Sequence, residues 1–164
     1  MFTFTKKADY ALLALSFLST EGAGRLVGPR EIAGHYDIPG ELLAKVMQTL
    51  AKNRLVTSVP GPTGGYRLGR DAAAISVAEV VEAMDGPLAI AQCWEPAHGP
   101  ARCAQSSSCT IRGPLERIQT EMVRMLRETS LADVCQPVEA SDGIKPRTFA
   151  DSARLTVLQS AVLR

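Results

Sequence analysis

Apolar side chains recur at positions 8, 11, 12, 15 and 18, the i, i+3, i+4, i+7 spacing of one helix face, with Thr5 placed to cap it. The pattern predicts a buried first helix over residues 5–20, ended by Gly22-Ala23-Gly24. Gly28-Pro29 opens a short second helix through Tyr36, since proline suits the first helical position, with Ile32, Ala33 and Tyr36 facing inward. After the break at Ile38-Pro39-Gly40, a third helix over residues 41–53 carries Leu42, Leu43, Val46, Met47 and Leu50 on one face and Lys45, Gln48 and Lys52 on the other.

The period then changes. Leu55-Val56-Thr57-Ser58-Val59 is a short β-rich run, Pro60-Gly61-Pro62-Thr63-Gly64-Gly65 is turn chemistry, and Tyr66-Arg67-Leu68 returns as a second strand. A further helix is expected over residues 71–85, with Ile75, Val77, Val80, Val81 and Met84 apolar and Ser76 as a cap. Residues 113–133 carry Leu115, Ile118, Met122, Met125 and Thr129 at alternating spacings of three and four, a 3.5-residue seam that asks for a second long helix as partner. A copy in another subunit is the economical partner, and folding back on the chain's own domain is the alternative. After Cys135-Gln136-Pro137 the periodicity breaks, with Leu155, Val157, Leu158 and Val162 available for a short last helix.

The expected fold is mainly α with a small β-hairpin: a winged helix-turn-helix followed by a long dimerisation helix. Its divisions are residues 1–85 as the winged helix-turn-helix domain, 86–112 as a cysteine loop, 113–135 as the dimerisation helix and 136–164 as a tail of unassigned role. With 164 residues the chain holds one small domain plus extensions. The 46% apolar and 21% charged composition is that of an ordinary globular protein.

Net charge is +1, but it is unevenly spread. Residues 41–70 hold Lys45, Lys52, Arg54, Arg67 and Arg70 against Glu41, a local +4, while residues 71–95 hold five acids and no Lys or Arg. A basic patch beside a helix-turn-helix is what a polyanion would meet. An ordinary solvated helix face, or a winged helix that binds protein, are the competing readings. Lys6-Lys7 before an eight-residue apolar run is too short and too interrupted for a secretory signal, and no stretch reaches the roughly 20 residues of a membrane span. The expected location is therefore the cytoplasm, where clustered thiols stay reduced.

Three of the four cysteines, Cys93, Cys103 and Cys109, fall in a Pro-, Gly- and Ser-rich loop with C-x9-C-x5-C spacing. A loop can converge three thiolates, whose soft sulfur suits an iron-sulfur cluster. Zinc held by the three cysteines and His98, or plain redox thiols, are the alternatives, although the paired knuckles of structural zinc are absent. Trp94 is placed to cover the loop, Arg102 to stabilise thiolate charge, and Cys135 stands apart. With His35 and His98 as the only histidines, no constellation for hydrolysis or group transfer is present, and a thiol oxidoreductase would want C-x-x-C, which is absent. No enzyme and no small-molecule substrate are expected.

Lys6-Lys7-Ala8-Asp9-Tyr10-Ala11, Leu42-Leu43-Ala44-Lys45-Val46, Gly61-Pro62-Thr63-Gly64-Gly65-Tyr66-Arg67-Leu68, Ile75-Ser76-Val77, the three loop cysteines and Thr129-Ser130-Leu131-Ala132-Asp133-Val134 occur in this order. Together they resemble the Rrf2 family of bacterial winged-helix regulators over residues 3–135. The resemblance implies a homodimer bound to a double-stranded DNA operator, sensing redox, nitric oxide or iron status through an iron-sulfur cluster, of the 4Fe-4S type before 2Fe-2S. It implies Cys93, Cys103 and Cys109 as cluster ligands, with Asp9 as a fourth from the other subunit. The DNA-facing set is Glu41, Lys45, Gln48 and Lys52 on the third helix, with Gly64, Gly65 and Arg67 in the wing. Two departures are the Pro60 that stands where members often carry Arg, and the wider first cysteine gap.

Overall fold

The computed structural model describes residues 3–94, 103, 105 and 107–136. The expected tail with its last short helix lies outside them, as do His98 and Arg102.

Helix α1, Lys6–Ser19, is the centre of the molecule. Thr5 caps it as its hydroxyl accepts the Ala8 N–H, and Ala8, Ala11, Ala14, Leu15, Phe17 and Leu18 are all buried. The alanines let neighbouring helices approach closely, and each larger side chain contributes about 1.5–3 kcal/mol by leaving water. After α1 the Gly22 N–H reaches back to the Phe17 carbonyl, satisfying a helix-end acceptor.

Helix α2, Pro29–Tyr36, starts on Pro29 as expected and buries Ile32 fully. Asp37, in the left-handed region at φ 52°, turns the chain, and the Ile38 N–H closes on the Ala33 carbonyl at 2.9 Å while its side chain buries. An aspartate tolerates that conformation better than most residues. Helix α3, Gly40–Lys52, buries Leu43, Val46, Met47 and Leu50 and packs on α1 and α2.

Strands β1, Val56–Val59, and β2, Gly65–Leu68, pair antiparallel with Val56 opposite Leu68 and Val59 opposite Gly65. Val27 adds an isolated bridge to Tyr66, with both N–H···O bonds at 2.9 Å, which tethers the wing to the segment before α2. Sequence pattern alone did not indicate this pairing.

Two expected helices are divided. The predicted element over residues 71–85 becomes a single 3-10 turn, Ala72–Ala74, capped by Asp71, and then helix α4, Val77–Asp85. Ile75 lies between them in extended conformation, fully buried. Ser76 starts α4 through a capping box with Glu79, which is why the helix cannot run back through it. Likewise the long element predicted over 113–133 is helix α5, Arg112–Glu128, followed by a separate α6, Leu131–Cys135, which begins on a second capping box, Ser130 with Asp133.

The two breaks meet. Ser76 and Ser130 form a β-bridge in which the Val77 N–H donates to the Thr129 carbonyl at 2.9 Å and the Leu131 N–H to the Ile75 carbonyl at 2.7 Å. This docks α6 against α1, with Leu131 fully buried in the main core. Residues 129–135 therefore belong to the winged-helix body rather than to the long helix α5 with which the sequence pattern joins them. A smaller cluster of Ala8, Val77 and Val81, joined by Phe4, Leu12, Met84, Leu88 and Leu126, seats α5 against α1 and α4.

Candidate functional site

Burial fixes which side of α3 faces outward. With Leu43, Val46, Met47 and Leu50 in the core, Glu41, Lys45, Gln48 and Lys52 are left exposed along the opposite face. Arg67 on β2 is exposed as well, and the register sets it opposite Thr57.

The described cations divide into paired and unpaired ones, and the unpaired include Lys6, Lys7, Arg30, Arg112 and Arg117 as well as those of this surface. Arg25 is held by Glu31 at 2.5 Å, Arg70 by Glu79 at 2.7 Å, Arg124 by Glu121 at 2.6 Å, and Arg127 lies 3.6 Å from Glu82. Lys45, Lys52, Arg54 and Arg67 make no ion pair with any described residue. Arg70, counted with the basic patch by sequence, is drawn away from it, because Glu79 and the Ala74 carbonyl both take its guanidinium. Arg54 sits at φ 59° where α3 gives way to β1, with its side chain exposed.

Gly64 and Gly65 have a packing reason for lacking a side chain. A Cβ on Gly65 would stand 2.6 Å from the Val27 carbonyl oxygen, and one on Gly64 would collide with the Val59 carbonyl oxygen. The tethered wing needs both.

Cys93 lies in a 3-10 turn, Gln92–Trp94, while Cys109 precedes α5 by three residues. Cys93, Cys103, Cys109 and Cys135 all carry free, half-buried thiols. Three free thiolates on one segment are a donor set that fits an iron-sulfur cluster by softness. Among the described residues, no three His, Cys, Asp or Glu side chains are gathered closely enough to hold a metal, so a single chain does not assemble Cys93, Cys103, Cys109 and Asp9 into one site. Asp9 is exposed in the first turn of α1, and its carboxylate has no partner among the described residues. Trp94 is half-buried beside Cys93.

Cys135 packs against the main core, with its thiol donating to the Ser16 hydroxyl at 3.3 Å. His35 is more exposed than a core histidine: its ring meets Phe17 and Tyr36 edge-on at 4.9 and 4.5 Å, and its Nε2 is 3.8 Å from Glu21. Neither residue joins the loop thiols in a metal-binding group.

Helix α5 buries none of its residues. Ile118 is 47% and Met125 57% exposed on the seam, with Leu115, Met122 and Thr129 half-buried, while Arg124 bridges Glu121 and Glu128. No described helix is long and apolar enough to cross a membrane.

Residues 4–137 match the family model Rrf2, described as an iron-dependent transcriptional regulator. The HTH-type transcriptional regulator NsrR of Oceanobacillus iheyensis is 28% identical over 134 residues, covering 82% of this chain and 90% of that protein. An HTH-type transcriptional regulator of Mycobacterium tuberculosis is 34% identical over 132 residues, 78% of each chain. IscR of Escherichia coli is 28% identical over 158 residues, covering 96% of this chain and 94% of its own. Among solved structures, CymR, the global cysteine regulator of B. subtilis, superposes with a TM-score of 0.64 at 23% identity, over 82% of this chain and 97% of that one. The T. potens IscR structure gives 0.65 at 21% identity, over 87% and 92%.

Proposed function

The chain belongs to the Rrf2 family of DNA-binding transcriptional regulators, and from that premise we propose that it is a cytoplasmic homodimer whose operator affinity is set by an iron-sulfur cluster on the cysteine loop. It is a regulator and not an enzyme, as its relatives are. The observation that carries the proposal is the placing of three free thiols between the winged-helix body and a helix whose apolar stripe, at Ile118 and Met125, no described residue covers.

Lys45 and Gln48 are assigned to base edges in the major groove and Lys52 to phosphate, with Glu41 at the start of the same face. Arg67 and the wing backbone at Gly64 and Gly65 are assigned to the flanking DNA. The support is exposure and the lack of an ion pair from Lys45, Lys52 or Arg67 to any described residue, which leaves their charge for phosphates.

Two copies meeting along Leu115, Ile118, Met122 and Met125 would bury the seam of α5. A two-fold dimer presents two α3 helices to half-sites about one helical turn apart or a multiple of it. Cys93, Cys103 and Cys109 would hold the cluster, of the four-iron type, with Asp9 of the second subunit completing it. When bound, such a cluster supplies iron-sulfur bonds that oxygen, nitric oxide or iron loss can attack. The carboxylate of Asp9, without a partner among the described residues, suits an exchangeable oxygen ligand, and its place in the first turn of α1 would tie ligand loss to the core helix that α3 packs against.

An absorption spectrum with iron and sulfide analysis after oxygen-free purification decides between cluster, zinc and bare thiols. A sulfur-to-iron charge-transfer spectrum with stoichiometric sulfide is expected for the native chain. Cys103→Ala is expected to lose it, and Asp9→Ala to keep a cluster with altered reactivity. Iron and sulfide absent from the native chain would overturn the cluster reading.

A further inference from the structure

A side-chain amide joins the start of the cysteine loop to α5. The Gln119 Nε2 donates to the Leu88 carbonyl at 2.6 Å, and the Ile90 N–H donates to the Gln119 Oε1 at 2.8 Å. One planar amide thus makes the two-point contact that a neighbouring strand would make, satisfying a carbonyl and an N–H two residues apart. Both bonds are partly sheltered from water, and Gln119 itself is half-buried.

Chain geometry gives the clamp its consequence. Ile90 is three residues before Cys93, so the thiol-bearing Cα stands within about 10 Å of the clamped backbone. On the other arm, Cys109 is three residues before the first residue of α5, and Gln119 is seven residues into that helix, about 10 Å of rise. The clamp therefore holds the Cys93 arm to the same rod that carries Cys109. Between the end of α4 and the clamp, Leu88 packs in the small cluster that also holds Leu126 of α5.

We infer that Gln119 is a positioning residue for the sensory loop: its amide holds the Cys93 arm against α5 and so couples that thiol to the helix of the proposed dimer seam. The neighbours Ile118 and Met122 lie on the seam, so a shift of α5 on reaching its partner moves Gln119 with it, and Gln119 carries the backbone before Cys93. This rests on the reading of the loop as the sensory element, and it is tested without any cluster present.

The test uses the full chain, metal-free and reduced, in native, Gln119→Leu and Gln119→Glu forms. Leucine keeps size and helix propensity but makes neither bond; glutamate keeps the acceptor for Ile90 and sets a carboxylate against the Leu88 carbonyl. Hydrogen exchange at the Ile90 amide and site-resolved alkylation of Cys93 by iodoacetamide are followed, with Cys135 as the internal reference. In Gln119→Leu both are expected to speed up about tenfold, the loss of one hydrogen-bonded clamp. In Gln119→Glu the Ile90 amide is expected to stay protected while Cys93 alkylation rises, because the Leu88 side of the clamp is gone. Cys135 rates should not change. Unchanged Ile90 exchange and Cys93 alkylation in Gln119→Leu would overturn the proposal, as would equal acceleration at Cys135, which would mark general loosening. Anaerobic reconstitution with iron and sulfide is a separate arm: failure of the native chain to take up both would overturn the cluster reading, and the metal-free rates would still decide Gln119.

Discussion

Helices α1 and α5 are of similar length, 14 and 17 residues, and they show opposite treatments of an apolar face. α1 has six buried residues and touches α2, α3, α4, α6 and β2. α5 has none, although its seam is as regular as that of α1, and it leans on the body through Leu126, the Arg127–Glu82 pair and the Gln119 clamp. A helix of that length with an uncovered stripe gains little stability from propensity alone. The difference is one of completeness: α1 finishes its packing within the described residues, while the α5 stripe stays open among them, where the second copy of the proposed dimer would finish it.

The largest effect should come from breaking α5 where it is incomplete. Ile118→Asp or Met122→Lys puts a charge into the proposed seam, where an unpaired charge costs several kcal/mol. Light scattering should show monomers, and operator affinity should fall by about 10²- to 10⁴-fold as the two half-sites lose their linkage. The contrast sharpens with Leu15→Ala in α1, expected to cost about 2–5 kcal/mol of folding stability. The α5 variants should keep the secondary structure and the melting behaviour of the winged-helix body. An intact dimer in both α5 variants would place the seam elsewhere.

A smaller effect is expected at the basic face. Lys52→Ala should weaken binding to all duplexes about equally and lower the salt slope by about one, whereas Gln48→Ala should change sequence preference. Filter binding at several salt concentrations, on operator and scrambled duplexes, separates the two. If both variants keep native affinity and salt slope, α3 does not dock as assigned.

The winged-helix half was legible because its elements are locally signalled. Periodicity with Thr5 and Pro29 at helix starts located α1 and α2, and the Pro-Gly run located the wing, whereas the helix expected from Asp71 begins only after Ser76, the residue the sequence marks as a cap. What the sequence hid was long-range pairing. Nothing local marks Val27 as a strand partner of Tyr66, nor Ser76 and Ser130 as neighbours. Ser130-x-x-Asp133 does carry the signature of a helix start, but the 3.5-residue seam running through Thr129 outweighed it and joined α5 to α6. Arg70 misled for a related reason: its charge counts toward a local patch, while its partner Glu79 lies nine residues on. The thiols of the loop were legible as donors, but the convergence expected of one loop is not formed among the described residues, and only Asp9 is assigned to the other subunit.

The smallest predicted effect concerns the junction where the two halves are joined. Glu79 and Asp133 each complete a capping box, and both carboxyls are held below their ordinary range. For Glu79, partial burial works against the charge, but the Ser76 backbone N–H and the Arg70 guanidinium outweigh it. For Asp133, the Ser130 hydroxyl and then the Ser130 N–H stabilise the anion. A carboxyl whose value falls on folding contributes stability that is fully present above its unfolded value, about pH 4, and is lost as pH drops through the lowered folded value. The melting temperature should therefore stay level from neutral pH to about pH 5 and decline below about pH 4. Ser76→Ala removes one box and should cost about 1 kcal/mol at neutral pH. The double variant Ser76→Ala with Ser130→Ala should show a shallower acid decline than the native chain, because neither carboxylate then has its serine hydroxyl to lose. Since these boxes sit on the bridge that docks α6 beside the end of α5, hydrogen exchange at the Leu131 amide should rise in the same acid range, with the amides of α1 still protected. An acid decline equally steep in the double variant and the native chain would assign it to other carboxylates and leave the junction insensitive to pH.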